Sequence, residues 1–206
     1  MLKKEYELIT PFVKEPWKKF TFKEVKILLH KTSESYVYTR LKNFVNQGIL
    51  TEEKAGNVTL YLLNLSSLKT QVYAGFVAEH IAWSQPHIPF RDLQEMADKI
   101  PTKHYTLIIT GSYANKKQTE QSDIDLVILV DNTVNVQHIY AQLKYYCEMN
   151  IPPIHLYVFK ESEFLEMLLN NQFNYGKEVT KNNLLLYGAE AYYGIMNEAI
   201  KHGYKN

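Results

Sequence analysis

The chain has 206 residues, a formal net charge of +1, 46% hydrophobic residues and 22% charged residues, a balance typical of a globular protein with one large or two small domains. No apolar run is long enough to cross a membrane, and residues 1–5 lack the apolar core of a signal peptide, so we expect a cytoplasmic protein. The single cysteine, Cys147, excludes an intramolecular disulfide and fits a reducing compartment.

Charge is distributed unevenly along the chain. Residues 1–65 carry 11 lysines and arginines against 7 acidic residues, whereas residues 66–206 carry 12 against 15. A mildly basic front segment is compatible with nucleic-acid binding without being diagnostic of it.

The first part of the chain predicts helices with clear start signals. A first helix is expected over residues 3–13, with Pro11 and Pro16 limiting its extent. Thr21 followed by Glu24 is the pattern of a capping box, which opens a second helix.

A third helix and a β-hairpin follow. Ser33 is positioned to cap a helix that ends at Gly48, and residues 49–62 read as strand, turn and strand. Three helices and a hairpin resemble a winged helix-turn-helix domain, which we assign to residues 1–65. The resemblance implies that the third helix is a recognition helix, and we expect DNA contacts from Tyr36, Thr39, Arg40, Lys42, Asn43 and, near the hairpin tip, Lys54.

A second interpretation of this front domain stays open. Winged helices also dock proteins, and Glu34 is unfavourably placed on a surface that faces DNA.

Residues 66–100 predict a helical connector. Ser66 or Ser67 would cap one helix that runs to about Gln85, and a second helix spans residues 91–100. The apolar stripe of the first helix is expected to pack on a domain or on a second subunit, the latter giving a homodimer. It comprises Val72, Phe76, Val77 and Ile81.

Residues 101–206 predict an α/β (α+β) domain with a short mixed sheet flanked by helices. Apolar runs mark strands at 107–109, 126–130 and 154–159. Helices are expected over 134–149, with Cys147 in its core stripe, over 161–169, and in a tyrosine-rich segment that ends near Lys201.

The most informative segment lies between the first two of these strands. Gly111 and Ser112 leave the first strand, and Ser122, Asp123, Ile124 and Asp125 enter the second. Side chains at positions i and i+2 of a strand share a face, so the two aspartates project together. Adjacent carboxylates repel each other unless a cation lies between them, and such oxygen ligands suit Mg²⁺.

Gly-Ser, the spacing and Ser-Asp-Ile-Asp-Leu resemble the signature of minimal nucleotidyltransferases of the polymerase-β superfamily. The resemblance implies transfer of a nucleoside monophosphate, AMP above all, from ATP or another NTP to a hydroxyl, with Mg²⁺ or Mn²⁺. By resemblance, Asp123 and Asp125 bind metal, and the nucleotide-binding residues are Gly111, Ser112, Lys116 and Ser122. The closing segment 188–193 resembles the tail of archaeal members.

The chain departs from this family at the expected third carboxylate. His155 occupies that position, counted in the alternating pattern of the strand at 154–159. Two interpretations stay open: His155 is a catalytic residue that accepts a proton, or the site has lost its chemistry. In the second case the protein would be a DNA-binding regulator or antitoxin. Relatives pair with HEPN-type toxins, so the resemblance also makes such a toxin a candidate partner.

Overall fold

The computed structural model describes residues 6–205. The predicted start of the first helix at residue 3, and the segment 1–5 that served to exclude a signal peptide, lie outside the described residues. None of the helices within 6–205 is both long and apolar enough to span a bilayer.

The N-terminal unit, residues 6–65, contains three helices and three short strands. Its elements in chain order are α1 (Tyr6–Lys14), β1 (Phe20–Thr21), α2 (Phe22–Leu28), α3 (Glu34–Asn46), β2 (Leu50–Ala55) and β3 (Val58–Leu63). The strands form an antiparallel sheet in the order β1-β3-β2. The predicted helices and hairpin are therefore present, and the winged-helix assignment itself stays a prediction.

Local polar contacts begin two of these helices as the sequence indicates. The Thr21 hydroxyl accepts from the Glu24 backbone N–H at 3.2 Å, and the Glu24 carboxylate accepts from the Thr21 N–H at 2.7 Å. The Ser33 hydroxyl accepts from the N–H of Tyr36. Pro11, expected to limit α1, lies inside it instead, as its sixth residue.

The C-terminal unit, residues 68–205, surrounds a four-stranded mixed sheet. Its elements are α4 (Leu68–Trp83), α5 (Phe90–Ala97), β4 (Tyr105–Thr110), α6 (Gly111–Ala114), β5 (Ile124–Val130), α7 (Val136–Met149), β6 (Ile154–Lys160), α8 (Glu161–Leu169), α9 (Tyr175–Lys181), β7 (Leu184–Tyr187) and α10 (Ala189–Lys201). The strand order is β6-β5-β4-β7, with β5 and β6 parallel and the other pairs antiparallel.

The two faces of this sheet pack into different cores because side chains alternate along each strand. Val127 and Leu129 of β5 face a core that includes α8 and α10. Leu126 and Ile128 face the core formed with α5 and α7. Asp125 precedes Val127 and Leu129 at the same every-second-residue spacing, so its side chain lies on the first face, near the start of β5.

The predicted connector is an integral part of the fold. Helix α4 packs against α10 and β7. A methyl group at Gly75 would come within 2.7 Å of the Glu190 nitrogen, so the two helices approach closely. Along the predicted apolar stripe, Val77 is buried, whereas Val72 and Phe76 are 61% and 54% exposed. The expected cap is also absent, since Ser67 makes no side-chain capping bond.

One hydrophobic core joins the two units. It runs from Leu8 and Phe12 of α1 to Tyr192 and Tyr193 of α10 without a break. The buried hydroxyl of Tyr193 donates to the Val13 carbonyl at 2.8 Å, and this bond crosses the predicted domain boundary.

Glu79 of α4 supplies a testable contact, because its carboxylate accepts from the Ala189 N–H at the start of α10 (3.0 Å). Burial raises the pKa of Glu79, so its carboxyl group holds a proton more tightly in the folded protein than in the unfolded chain. The charged form therefore costs stability as pH rises above the ordinary value of 4.5.

We expect Glu79→Gln to stabilise the protein relative to the parent at pH 7 and not at pH 4. Glu79→Ala should cost about 1 kcal/mol, as for a lost helix cap, because the Ala189 N–H loses its acceptor. Urea denaturation of all three proteins at both pH values measures this. A Gln variant with the same relative stability at both pH values would contradict it.

Candidate functional site

The two aspartates lie where β4 and β5 meet at one end of the sheet. Thr110, the last residue of β4, pairs with Asp125, the second residue of β5. Asp123 comes just before the strand, two residues from Asp125. Gly111 begins α6 directly after Thr110, so the Gly-Ser turn and the carboxylates are neighbours through strand pairing.

Gly111 fits against the carboxylate of Asp125. Its φ of +66° is a left-handed conformation that glycine adopts without strain. A Cβ at this position would overlap the Asp125 carboxylate. The missing side chain therefore allows the backbone and the acid to touch, and any larger residue would displace one of them.

His155 lies beside both aspartates. The parallel pairing of β5 and β6 sets Asp125 in register with His155. The imidazole Nε2 is 3.3 Å from Oδ2 of Asp123, and Nδ1 is 3.7 Å from Oδ1 of Asp125. Each ring nitrogen thus faces a different carboxylate, and the three side chains form one group.

The electrostatics of this group favour a cation. Burial raises the pKa of Asp125, and the charge of Asp123 raises it further, while His155 opposes the shift. A carboxylate that is costly to ionise becomes easier to ionise when a positive charge is bound next to it. The side chains of Asp123 and Asp125 are 38% and 31% exposed, so a cation can reach both carboxylates from solvent.

The donor set fits Mg²⁺, which takes one or two carboxylates and completes its shell with water and substrate oxygens. Among the described residues, no group of three or more His, Cys, Asp or Glu side chains is arranged as a ready-made metal cage. An ion held here by Asp123 and Asp125 would therefore need further ligands from water or substrate.

Two other predicted nucleotide-binding residues, Lys116 and Ser122, lie in the loop between α6 and β5, where they have different surroundings. The Ser122 hydroxyl accepts from the Thr119 N–H at 2.9 Å, so it stabilises the loop that leads to Asp123. Lys116 lines a cleft against the N-terminal unit, and the described residues of that cleft do not include the aspartates. The structure thus brings Gly111 next to Asp125, and it places Lys116 in the lining of this cleft.

Tyr175 lies near Asp125, although no pattern in the sequence points to it as a site residue. Its ring contacts that of Tyr157, with 4.5 Å between centroids, and the two form an aromatic wall with Phe159. Burial raises the pKa of Tyr175 strongly, and the charges of Tyr157 and Asp125 add to the shift. Its buried hydroxyl has no hydrogen-bond partner within residues 6–205.

The residues expected to bind DNA lie on α3 and the β2–β3 hairpin, and several already have partners. Lys42 Nζ is 2.6 Å from the Glu52 carboxylate, and the guanidinium of Arg40 lies over the Tyr36 ring at 5.5 Å. The ion pair with Glu52 offsets the charge that Lys42 offers to a phosphate. Nucleic-acid binding stays a prediction.

One stretch of the chain is similar to a known protein family. Residues 93–184 match the family model of the nucleotidyltransferase domain. The match runs from α5 to the first residue of β7 and includes Gly111, both aspartates and His155. No curated protein and no solved structure matches the chain significantly.

A glycine pair tests how the matched segment, residues 93–184, builds its carboxylate site. Gly48→Ala should cost about 1 kcal/mol, because its φ of +73° is left-handed and the space around it is open. Gly111→Ala has the same backbone cost and also displaces Asp125, so we expect a larger loss of stability and weaker Mn²⁺ binding. Thermal melts and calorimetric Mn²⁺ titrations measure both effects. Equal Mn²⁺ affinity in both variants would contradict the assigned contact.

A tyrosine pair tests the unpartnered hydroxyl. Tyr175→Phe removes a buried group that makes no bond, so we expect the melting temperature to stay unchanged or rise. Tyr204→Phe is the matched control. It removes a buried hydroxyl that lies 2.6 Å from the Thr180 hydroxyl, and should cost about 1 kcal/mol. If Tyr175→Phe destabilises the protein as much as Tyr204→Phe does, the Tyr175 hydroxyl makes a hydrogen bond and the prediction is wrong.

Proposed function

We propose that the protein transfers a nucleoside monophosphate, AMP from ATP, to a hydroxyl acceptor and releases pyrophosphate. The observation that carries the proposal is the group formed by Asp123, Asp125 and His155 next to Gly111, inside the stretch that matches the nucleotidyltransferase domain.

In this proposal Asp123 and Asp125 hold Mg²⁺ or Mn²⁺. The bound ion would neutralise charge on the phosphate oxygens and orient them for in-line displacement. Gly111 and Ser112 would approach the phosphates, since a residue without a side chain lets the backbone come close. The protein's part is mainly positioning and charge.

His155 would receive the proton of the acceptor hydroxyl. The hydroxyl oxygen forms a bond to the α-phosphorus, the bond between that phosphorus and pyrophosphate breaks, and the proton moves to an imidazole nitrogen. The side chain is 58% exposed and borders an open groove of about 460 Å³ beside the edge strand β6. An acceptor can therefore approach from this side.

The identity of the acceptor is a separate matter. A protein such as a HEPN-type toxin, a nucleic acid delivered by the N-terminal unit and a small molecule all present hydroxyl groups. The alternative, a regulator or antitoxin with an inactive domain, differs from the proposal in one measurable respect, since it predicts no transfer.

The experiment is incubation with α-labelled ATP and Mg²⁺ or Mn²⁺, with and without co-purified proteins. We expect metal-dependent labelling of an acceptor. The Asp123→Asn/Asp125→Asn double variant should lower it at least about 100-fold, because pre-positioned charge is a large catalytic contribution. Asp131→Asn, which changes an acid just beyond the other end of β5, is the control and should retain labelling.

His155 variants separate an enzyme from an inactive relative. An enzyme that uses the imidazole loses labelling in both His155→Ala and His155→Asp. An enzyme weakened by the histidine gains labelling in His155→Asp. No labelling in the parent or in either variant would favour the regulator interpretation.

A further inference from the structure

A cleft of about 580 Å³ lies where the N-terminal unit meets the C-terminal unit. One wall comes from α1, the segment after it and the end of α2. The other comes from α4, the loop after α6 and the segment that joins α9 to β7. The volume falls within the roughly 300–1,000 Å³ of small-molecule sites.

Part of this cleft is apolar and aromatic. Trp17, Leu28 and Ile81 contribute to its lining. The half-buried Trp17 indole is fixed by an edge-to-face contact with the ring of Tyr204, at 5.6 Å between centroids. A fixed aromatic ring beside aliphatic side chains is a suitable surface for a planar heterocycle.

The polar part of the cleft is basic. Three lysines, Lys14, Lys116 and Lys181, line it, and Glu15 is the one acidic residue among its described lining residues. The Glu15 carboxylate lies 3.3 Å from Lys18 Nζ, so part of its charge is offset. The balance of charge favours an anionic ligand.

Lys116 has an unusual backbone for its residue type. It follows α6 with a φ of +58°, and the next residue, Lys117, donates its N–H to the Ser112 carbonyl at 2.9 Å. Glycine is the usual residue at this helix end, and a lysine there costs about 1 kcal/mol. A strained residue that brings a positive charge to a cleft points to a role for that charge.

We infer that this cleft binds a nucleotide, free or at the end of an oligonucleotide, with its base against Trp17 and its phosphates against the lysines. The inference extends the proposed function and rests on it for the choice of a nucleotide. Asp123, Asp125 and His155 are outside the described lining, so binding here requires no metal and no transfer. Because both units supply walls, the bound nucleotide stabilises their contact.

Tryptophan fluorescence reports on the site directly. The chain has two tryptophans, and the Trp83→Phe variant leaves Trp17 as the sole reporter. Titration with AMP or ATP in EDTA should quench its emission in a saturable way. Calorimetry of the unchanged protein with the same nucleotides in EDTA is the second measurement, and it applies even if Trp83→Phe fails to fold.

Charge variants locate the binding. Lys14→Gln and Lys181→Gln should each weaken nucleotide binding about tenfold, the usual scale for a lost hydrogen bond to a charged group. Lys99→Gln, two residues after α5 and outside the cleft, is the control and should bind like the parent. A short oligonucleotide that competes with AMP would identify a chain end as a source of the ligand.

Three results would overturn the inference. These are absence of both quenching and heat with AMP and ATP, equal competition by inorganic tripolyphosphate, and loss of metal-free binding in Asp123→Asn/Asp125→Asn. Metal-free binding that survives in the double variant, in a protein without transfer activity, would support the cleft while contradicting the proposed function.

Discussion

The contact between the Gly111 backbone and the Asp125 carboxylate is the constraint on which the site depends. Antiparallel pairing of β4 with β5 brings the glycine to the acid, and parallel pairing of β5 with β6 brings His155 to the same place. The same packing raises the pKa of Asp125, so the charged carboxylate is costly until a cation compensates it. Buried apolar residues on both faces of the sheet offset this local cost.

The second organising feature is the core shared by the two units. Side chains of α1 pack into the same cluster as α10, and the bond from Tyr193 to Val13 satisfies a polar group inside it. Two domains joined by a linker would place the cleft walls independently. Here Trp17 and Lys181 belong to elements that are held by one core, so the cleft is a fixed part of the molecule.

One buried polar group without a hydrogen-bond partner lies close to the carboxylates. Tyr175 keeps a buried hydroxyl that bonds to nothing within residues 6–205, close enough to Asp125 for their charges to interact. The buried hydroxyl of Tyr204, by contrast, is paired with that of Thr180. Buried polar groups are normally satisfied, so a molecule bound beside the carboxylates would supply the partner that the Tyr175 hydroxyl lacks among the described residues.

The local elements, and the position of the Gly-Ser and Asp-Ile-Asp residues between two strands, can be predicted from the amino-acid sequence alone. Capping at Thr21 and Ser33, the β2–β3 hairpin and the spacing from Gly111 to Asp125 are properties of short segments, which local hydrogen bonds and side-chain alternation decide. The folded structure was needed to show that α4 is part of the core, that β7 completes the sheet, that Tyr175 lies near Asp125 and that Lys116 lines a cleft with Trp17. These depend on contacts between residues far apart in the chain, and periodicity within one segment carries no information about its partner.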